Sequence, residues 1–495
     1  MTFSDLISFC NPESVIGQGP NEIGDLHQDS RAITPGDIFI AIRGLSSDGH
    51  DFIQKAVEKG ATVIISEERR DDIEGVVQLI VKNTRSLIGP LAQKLAGNPG
   101  ESLTIVGVTG TNGKTTVSTL IWQVLTDLGQ PASLLGTVEK RFNNAQRIES
   151  SLTTADPIEI ARDMRKMVDM GSRFLVMEVS SHALEQKRTD GIPFYVAVFT
   201  NLSHDHLDYH ETFEEYAAAK KRLFDLLDSS GWAIINTDDS YGKWMVHDTD
   251  ARVIGLSMES PNTVYANIVN ADATGTQIDI EDLQLETSLI GTFNAYNAVQ
   301  ALLAITALGF DGSIVAESFK RCNGAPGRLE RVTIDAESRD EPTVIVDYAH
   351  TPDALENVCS TLASLLKEDQ KLTVLFGCGG DRDKTKRPKM ARVAEKYGDS
   401  VMVTSDNPRS EVPEKIIEDI IAGFSDASRI SSEPSRKQAI ERVILEAGNS
   451  DIVLIAGKGH ETYQEINGKR HHFDDREEAR KALEKRRQAK DSGGA

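Results

Sequence analysis

The sequence predicts an α/β protein of three domains, and three observations predict it. Short apolar runs alternate with helical stretches along the whole chain, the pattern of βαβ units. One run, Leu103-Thr104-Ile105-Val106, leads into a glycine-rich turn ending in Lys114-Thr115-Thr116, after which 117–128 reads as a helix. The last third carries four further buried runs separated by helices, a second doubly wound sheet of Rossmann type. With 495 residues the chain has the length for about three domains of ordinary size. Breaks at Asn98-Pro99-Gly100 and Ala325-Pro326-Gly327-Arg328 place the expected domains at 1–98, 99–329 and 330–495.

Composition narrows the class. Hydrophobic residues are 39% and charged residues 26%, a globular balance. With 76 acidic against 54 basic side chains the formal charge is −22, which argues against nucleic acid or an anionic membrane as the main partner. Cys10, Cys322, Cys359 and Cys378 lack paired spacing and read as reduced thiols. No run approaches a membrane span, and the N-terminus lacks a secretory pattern, so a cytosolic chain without membrane insertion is expected.

In order, 37–43, 61–66 and 78–82 read as strands, and 51–59 and 87–95 as helices, giving a small parallel-rich sheet. In the second domain 174–178, 195–200 and 232–236 read as strands with polar residues at their carboxyl ends, where open α/β sheets bind ligands; 292–308 reads as a helix. In the third, 343–347, 372–376, 400–404 and 451–456 are strands, 354–367, 389–396 and 415–421 are helices, and a charged helix from Arg476 is expected to fray at its end.

The chemistry starts at Gly110-Thr111-Asn112-Gly113-Lys114-Thr115-Thr116. Glycines let backbone N–H groups approach phosphate oxygens, a helix start presents its positive dipole end, and Lys114 adds a point charge. Thr115 offers a hydroxyl to Mg²⁺. Val108 stands where the standard phosphate-loop signature has its first glycine; the remainder predicts binding of ATP or GTP. Glu178, at a strand end in the same sheet, reads either as a magnesium holder opposite Thr115 or as an ordinary ion-pair partner. His204, Asp205, His206, Asp208 and His210 fit a metal or proton-transfer site, or a polar loop. Tyr216 and Lys220 share a helix face; alone, Lys220 reads as surface charge.

These motifs, with Met177-Glu178-Val179-Ser180-Ser181-His182, Gly291-Thr292-Phe293-Asn294 and Asp347-Tyr348-Ala349-His350, occur in the order found in the Mur ligase family, which the chain resembles throughout. The resemblance implies a small N-terminal UDP-binding α/β domain, a central ATPase-like domain and a C-terminal Rossmann-like domain. It implies ATP and Mg²⁺ as cofactors, an acyl phosphate intermediate, and an amine that attacks it. Lys114, His206 and Lys220 would be catalytic, Lys220 as a carbamate (N6-carboxylysine). Thr115, Glu178, His206 and Lys220 would hold the metal ions. Gly110 through Thr116, Asn294, Asn297, Arg328, Asp347 and His350 would meet the nucleotide; read without the family, Asn294 and Asn297 are polar helix positions and Asp347 a strand-end cap.

Within the family the resemblance points to the member adding the third residue of the peptidoglycan stem peptide. Ser30, Leu45, Ser46 and Ser47 would meet UDP, although blind they are only turns. Thr153, Thr154, Ser180, Gln186 and Arg188 would meet the muramoyl-dipeptide; Leu152 departs from relatives with a polar residue there. Arg382, Asp406, Asn407, Pro408, Arg409, Gly457 and Glu461 match contacts to meso-diaminopimelate, an arginine clasping the distal carboxylate and a glutamate the ammonium. As isolated motifs, Asp406-Asn407-Pro408-Arg409 is a turn and Gly457-Lys458-Gly459-His460-Glu461 resembles an anion loop. The implied partners are small molecules: UDP-N-acetylmuramoyl-L-alanyl-D-glutamate, meso-diaminopimelate and ATP, bound by a monomer. The alternatives are the same reaction with L-lysine, a folylpolyglutamate synthetase-like ligase, and a nucleotide-gated binding protein without turnover.

Overall fold

The computed structural model describes residues 1–44, 47–143, 145–261, 263–334 and 341–493, leaving aside the side chains at 207, 208, 427 and 491–493. The chain forms two compact units, Met1–Val264 with Leu303–Phe310, and Tyr265–Leu302 with Asp311–Ala495.

The first unit holds two sheets. The smaller has the order Ser14–Ile16, Val77–Ile80, Val63–Ser66, Ile38–Ile40, Leu26–His27, parallel throughout except for its first pair. Ile38, Phe39 and Ile40 are fully buried in succession, as in a sheet covered on both faces. The helix expected at 51–59 is a 3₁₀ turn, Gly49–Phe52, followed by α-helix Ile53–Glu58. Helix Thr84–Leu95 starts where Asn83 Oδ1 accepts from the Ser86 N–H, and its Ile88, Leu91 and Ala92 share a core with Ile158 and Ala161 of helix Pro157–Asp169. The latter helix, which the sequence reading had not marked, is capped by Asp156 and carries Pro157 in its first turn, where a missing N–H costs nothing.

The larger sheet runs Arg252–Ser257, Trp232–Asn236, Phe194–Phe199, Thr104–Thr109, Phe174–Glu178, Ala132–Leu135, all parallel, then Glu139–Phe142 and Gln146–Glu149 antiparallel. Thr104–Thr109 has a later strand on each side, so a topological switch point falls at its carboxyl end, where crevices form. The glycine turn starts there.

The second unit is built on a sheet ordered Glu330–Val332, Thr343–Asp347, Ile452–Ala456, Leu372–Phe376, Ser400–Thr404, Ile430–Glu433, parallel except at its first pair. Buried clusters cover both faces. One includes Leu355, Val358 and Leu362 of helix Pro352–Ser364; the other includes Ala439, Ile440 and Val443 of helix Arg436–Glu446. The loops after residues 347, 376, 404 and 456 all leave carboxyl strand ends. A hairpin, Tyr463–Ile466 with Lys469–His472, follows the last of them. The charged terminal helix runs from Asp475 to Gly493, so it reaches into the stretch expected to fray, whose last two residues lie outside the described residues. Among the described residues no helix is long and apolar enough to cross a membrane.

Candidate active site

The glycine turn is held open by its backbone. Gly110 has φ +147° and Gly113 φ +88°, and a Cβ at Gly110 would stand 1.9 Å from Thr200 Oγ1. Helix Lys114–Asp127 has Gly113 as its N-cap and no side-chain cap bond there, a helix start of the kind that receives an anion. The turn is tied to the strand-end loop after Phe194–Phe199. Thr111 N–H donates to Asn201 O at 2.8 Å, Asn112 N–H to Asn201 Oδ1 at 3.0 Å, and Thr200 Oγ1 to Asn112 O at 2.5 Å. Lys114 Nζ donates to Gly110 O and Thr111 O, both at 2.9 Å. Thr116 is buried one residue beyond Thr115.

Glu178 is 1% exposed, and its carboxylate faces the turn. Thr115 Oγ1 donates to Oε2 at 2.9 Å; Thr137 donates from its N–H to Oε1 at 2.7 Å and from Oγ1 to Oε2 at 2.9 Å. An ion-pair role is not what this geometry shows: hydroxyls and an amide hold the carboxylate. A buried carboxylate beside a threonine hydroxyl fits the all-oxygen preference of Mg²⁺, which commonly takes one or two carboxylates and completes its shell with phosphates and water. Among the described residues no group of three His, Cys, Asp or Glu side chains converges on a metal-sized site. Thr137 has no motif to mark it; its partner lies 41 residues away.

Lys220 is 1% exposed, which corrects its reading as surface charge. Its Nζ donates to Gly110 O at 2.7 Å and lies 4.3 Å from the centre of the Tyr216 ring. Burial, reinforced by the Lys114 ammonium, pushes its pKa well below the ordinary lysine value. Tyr216 is buried, with its hydroxyl 3.0 Å from Thr111 Oγ1. His206, with φ +54°, begins the short helix Leu207–His210, and its side chain is half exposed. Its ring meets that of His182 edge-on at 4.8 Å, and His182 lies 4.1 Å from Tyr209 and 5.5 Å from buried His210. His210 Nε2 is 3.0 Å from Ser181 Oγ, and burial pulls its pKa down to about 4. The histidine loop is therefore a packed aromatic cluster next to the glycine turn. Motif spacing alone does not single out His182, which joins the cluster through its ring contacts with His206, Tyr209 and His210.

The expected dipeptide residues also assemble. Thr154 Oγ1 donates to Glu178 O at 2.9 Å and accepts from Ser180 N–H at 3.1 Å, while Thr137 Oγ1, its proton given to Glu178, lies 3.1 Å from Thr153 Oγ1 and can accept from it. Arg188 donates from Nη2 to Gln186 Oε1 at 2.7 Å and from Nη1 to Thr154 O at 2.8 Å. Leu152 is exposed. Ser30 is buried and Ser47 exposed; Leu45 and Ser46 lie outside the described residues.

In the second unit, Asn294 Nδ2 donates to Ile290 O at 2.9 Å and Asn297 Nδ2 to Asn294 Oδ1 at 3.0 Å. Asp347 accepts the N–H groups of Leu329 and Ala349, both at 2.7 Å, the capping role read from sequence, and burial raises its pKa. Arg328 lies over the Tyr348 ring, and His350 Nδ1 is 2.9 Å from Tyr348 O.

Two of the strand-end loops join. Asn407 Nδ2 donates to Glu461 Oε2 at 2.9 Å, bringing the Asp406-Asn407-Pro408-Arg409 turn against the Lys458–Glu461 turn. A Cβ at Gly457, φ +120°, would come within 3.2 Å of Asp406 Oδ2. Arg409, φ +51°, donates from Nη1 to Gly380 O at 2.8 Å and has Nε 3.5 Å from Glu465. Arg382 is exposed on the 377–382 loop and Pro408 is buried. Sequence reasoning missed Glu465, which comes from the hairpin. It also missed the fully buried Arg436–Asp475 pair at 2.7 Å, whose Arg436 Nη2 donates to Ala456 O.

A parallel strand, an uncapped glycine turn with Lys and Thr, and a buried carboxylate opposite the threonine define a phosphate-loop protein, here with a second doubly wound unit. Comparison with known proteins is more specific. The chain matches the Mur ligase family, catalytic domain, at 22–94, the Mur ligase middle domain at 108–305, and the Mur ligase, glutamate ligase domain, at 327–459. It is 40% identical over 480 residues to the UDP-N-acetylmuramoyl-L-alanyl-D-glutamate--2,6-diaminopimelate ligase of Phocaeicola vulgatus, covering 96% of this chain and 98% of that protein. A solved structure of a ligase of that name aligns with TM-score 0.70 at 34% identity over 94% of this chain and 96% of that one. The folylpolyglutamate synthase of Mycobacterium tuberculosis aligns with TM-score 0.55 at 21% identity over 76% of this chain and 92% of that one, a likeness of fold. The chain belongs to the Mur ligase family and has its three-domain α/β architecture.

Proposed function

We propose that this chain joins meso-2,6-diaminopimelate to UDP-N-acetylmuramoyl-L-alanyl-D-glutamate, consuming ATP and releasing ADP and phosphate. The observation that carries this reading is the joined pair of turns, Asn407 Nδ2 on Glu461 Oε2 with Arg409 braced beside them. An anionic head and an ammonium head, both present at the far end of meso-diaminopimelate, suit an arginine and a glutamate. Whole-length identity to ligases of that name supports the same reading.

In the reaction a glutamyl carboxylate oxygen attacks the γ-phosphorus of ATP and displaces ADP. The amine, having lost its proton, attacks the acyl carbon, and the tetrahedral intermediate collapses with loss of phosphate. The glycine turn and the start of helix Lys114–Asp127 bind phosphate oxygens, and Lys114 offsets charge on them. Thr115 and Glu178 would hold Mg²⁺, with His206 and Lys220 assigned to a second ion; the metal supplies charge neutralisation. Arg188 and the Thr153–Thr154 pair orient the dipeptide. The low pKa of Lys220 favours a neutral amine, the form that adds CO₂ to give a carbamate and a released proton. That converts a buried neutral amine into an anion fit for a metal.

The test is ADP release with the UDP-muramoyl-dipeptide present and one amino acid added at a time. Release is expected with meso-diaminopimelate and far less with L-lysine; equal release, or none with either, contradicts the proposal.

A further inference from the structure

One residue of the Gly457–Glu461 turn has no task in the chemistry above. Lys458 is fully buried, yet its ammonium is surrounded by acceptors. Nζ lies 3.1 Å from Asn407 Oδ1, 3.1 Å from Glu461 Oε2 and 3.5 Å from Asp406 Oδ1, and 5.5 Å from the centre of the Tyr463 ring. These contacts link three segments: the loop after strand Ser400–Thr404, the loop after strand Ile452–Ala456, and the hairpin. They also settle the Asn407 amide. Its Oδ1 accepts from Lys458 Nζ and from the Glu465 N–H at 3.0 Å, while its Nδ2 donates to Glu461. The flipped amide would set NH₂ against both donors. Both bonds on Glu461 fall on Oε2, which leaves Oε1 for a ligand ammonium.

We propose that Lys458 is a positioning residue that sets amino-acid specificity by fixing Asn407 and Glu461 and by balancing the carboxylates of Asp406 and Glu461. The inference rests on the amide-ligase reading above. At neutral pH meso-diaminopimelate carries two ammonium and two carboxylate groups and no net charge; L-lysine carries two ammonium groups, one carboxylate and a net positive charge. With Lys458 in place, one of the pocket's carboxylates is already neutralised, and a zwitterionic head meets Glu461 and Arg409 together. Without it the pocket becomes one charge more negative in a poorly screened place, which favours the cationic amino acid. Loss of Lys458 therefore does more than weaken binding: it moves the preference toward L-lysine.

The experiment measures kcat/KM of the full chain with each amino acid for wild type, Lys458→Met and Lys458→Arg, at saturating ATP and UDP-muramoyl-dipeptide. In Lys458→Met the ratio of meso-diaminopimelate to L-lysine efficiency is expected to fall by about tenfold or more, the Coulomb effect of one charge at short range. The change should sit in KM for meso-diaminopimelate, with KM for ATP unmoved. Lys458→Arg, which keeps the charge, should hold the ratio near wild type. If Lys458→Met does not fold, Lys458→Gln, a neutral donor of similar length, gives the same reading. Equal proportional losses for the two amino acids overturn the inference while leaving the ligase reading intact. Wild type that turns over neither amino acid overturns the ligase reading itself.

Discussion

Arg409 offers the sharpest test of how the chain chooses its amino acid. Its guanidinium is braced by Gly380 O at 2.8 Å and Glu465 Oε2 at 3.5 Å, and the Arg409 backbone N–H donates to Glu465 O at 3.0 Å. A pre-ordered fork loses little freedom on pairing with a carboxylate. In a closed site such a pair should contribute about 2 to 5 kcal/mol to discrimination, roughly 30-fold to several thousandfold in relative efficiency. Arg409→Ala should therefore collapse turnover of meso-diaminopimelate and change the already poor turnover of L-lysine much less. Arg409→Lys should not rescue it, because one ammonium cannot reproduce the fork. The backbone supplies a control. Arg409 has φ +51°, a left-handed conformation that costs a side-chain-bearing residue about 1 kcal/mol or more. Arg409→Gly relieves that strain while removing the same guanidinium, so it should be no less stable than Arg409→Ala in thermal melts and just as deficient with meso-diaminopimelate. The assay is kcat/KM for both amino acids on each variant. Equal proportional losses, or a Gly variant that recovers activity, would show that Arg409 shapes the turn and does not read the carboxylate.

Gly110→Ala places a Cβ 1.9 Å from Thr200 Oγ1 at φ +147°; it should cost about 1 to 3 kcal/mol in denaturant unfolding and raise KM for ATP. Lys220→Ala should abolish most turnover, with partial recovery when a short carboxylic acid is added to the buffer; wild-type-like turnover by the variant would remove the carbamate from the mechanism. Glu411 is held near pKa about 2, chiefly by Arg387. Because that is below its unfolded value of 4.5, its stabilisation is complete above pH 4.5 and is lost as pH falls from there through about 2. Glu411→Gln should lower Tm at neutral pH and flatten its decline across that acid window.

What could be read in the sequence was local. Residues 105–108, 174–177 and Ile452–Ala456 are unbroken apolar runs, and buried parallel strands look like that. Ala132–Leu135 was missed because its buried Ser133 interrupts the run; that hydroxyl is satisfied at 2.7 Å by Ser172. Glu139–Phe142 was missed because three of its four residues are charged, the mark of a strand near an edge. The glycine turn announced itself because its residues adjoin. The Thr137–Glu178 and Asn407–Glu461 contacts span 41 and 54 residues and left no local pattern. For the second pair, only family resemblance singled out both partners.

The two buried lysines show why burial alone does not assign a role. Lys220 has for company a carbonyl, an aromatic ring and the like-charged Lys114, with Asp205 as its opposing influence. Lys458 has an amide oxygen and two carboxylates within 3.5 Å. A low-dielectric site penalises an ammonium strongly, and only neighbours of opposite sign offset the penalty. Lys220 has only Asp205 to offset it and leans toward the neutral amine, the form that reacts with CO₂, whereas the Lys458 Nζ is fully buried and engaged by Asn407 Oδ1 and Glu461 Oε2, with Asp406 beside it. Labelled bicarbonate should therefore mark Lys220 and leave Lys458 unmarked, and the mark should vanish in Lys220→Ala. A label on Lys458 would mean that its Nζ is not held by Asn407 and the two carboxylates. The account of specificity would then fail together with the contrast between the two sites.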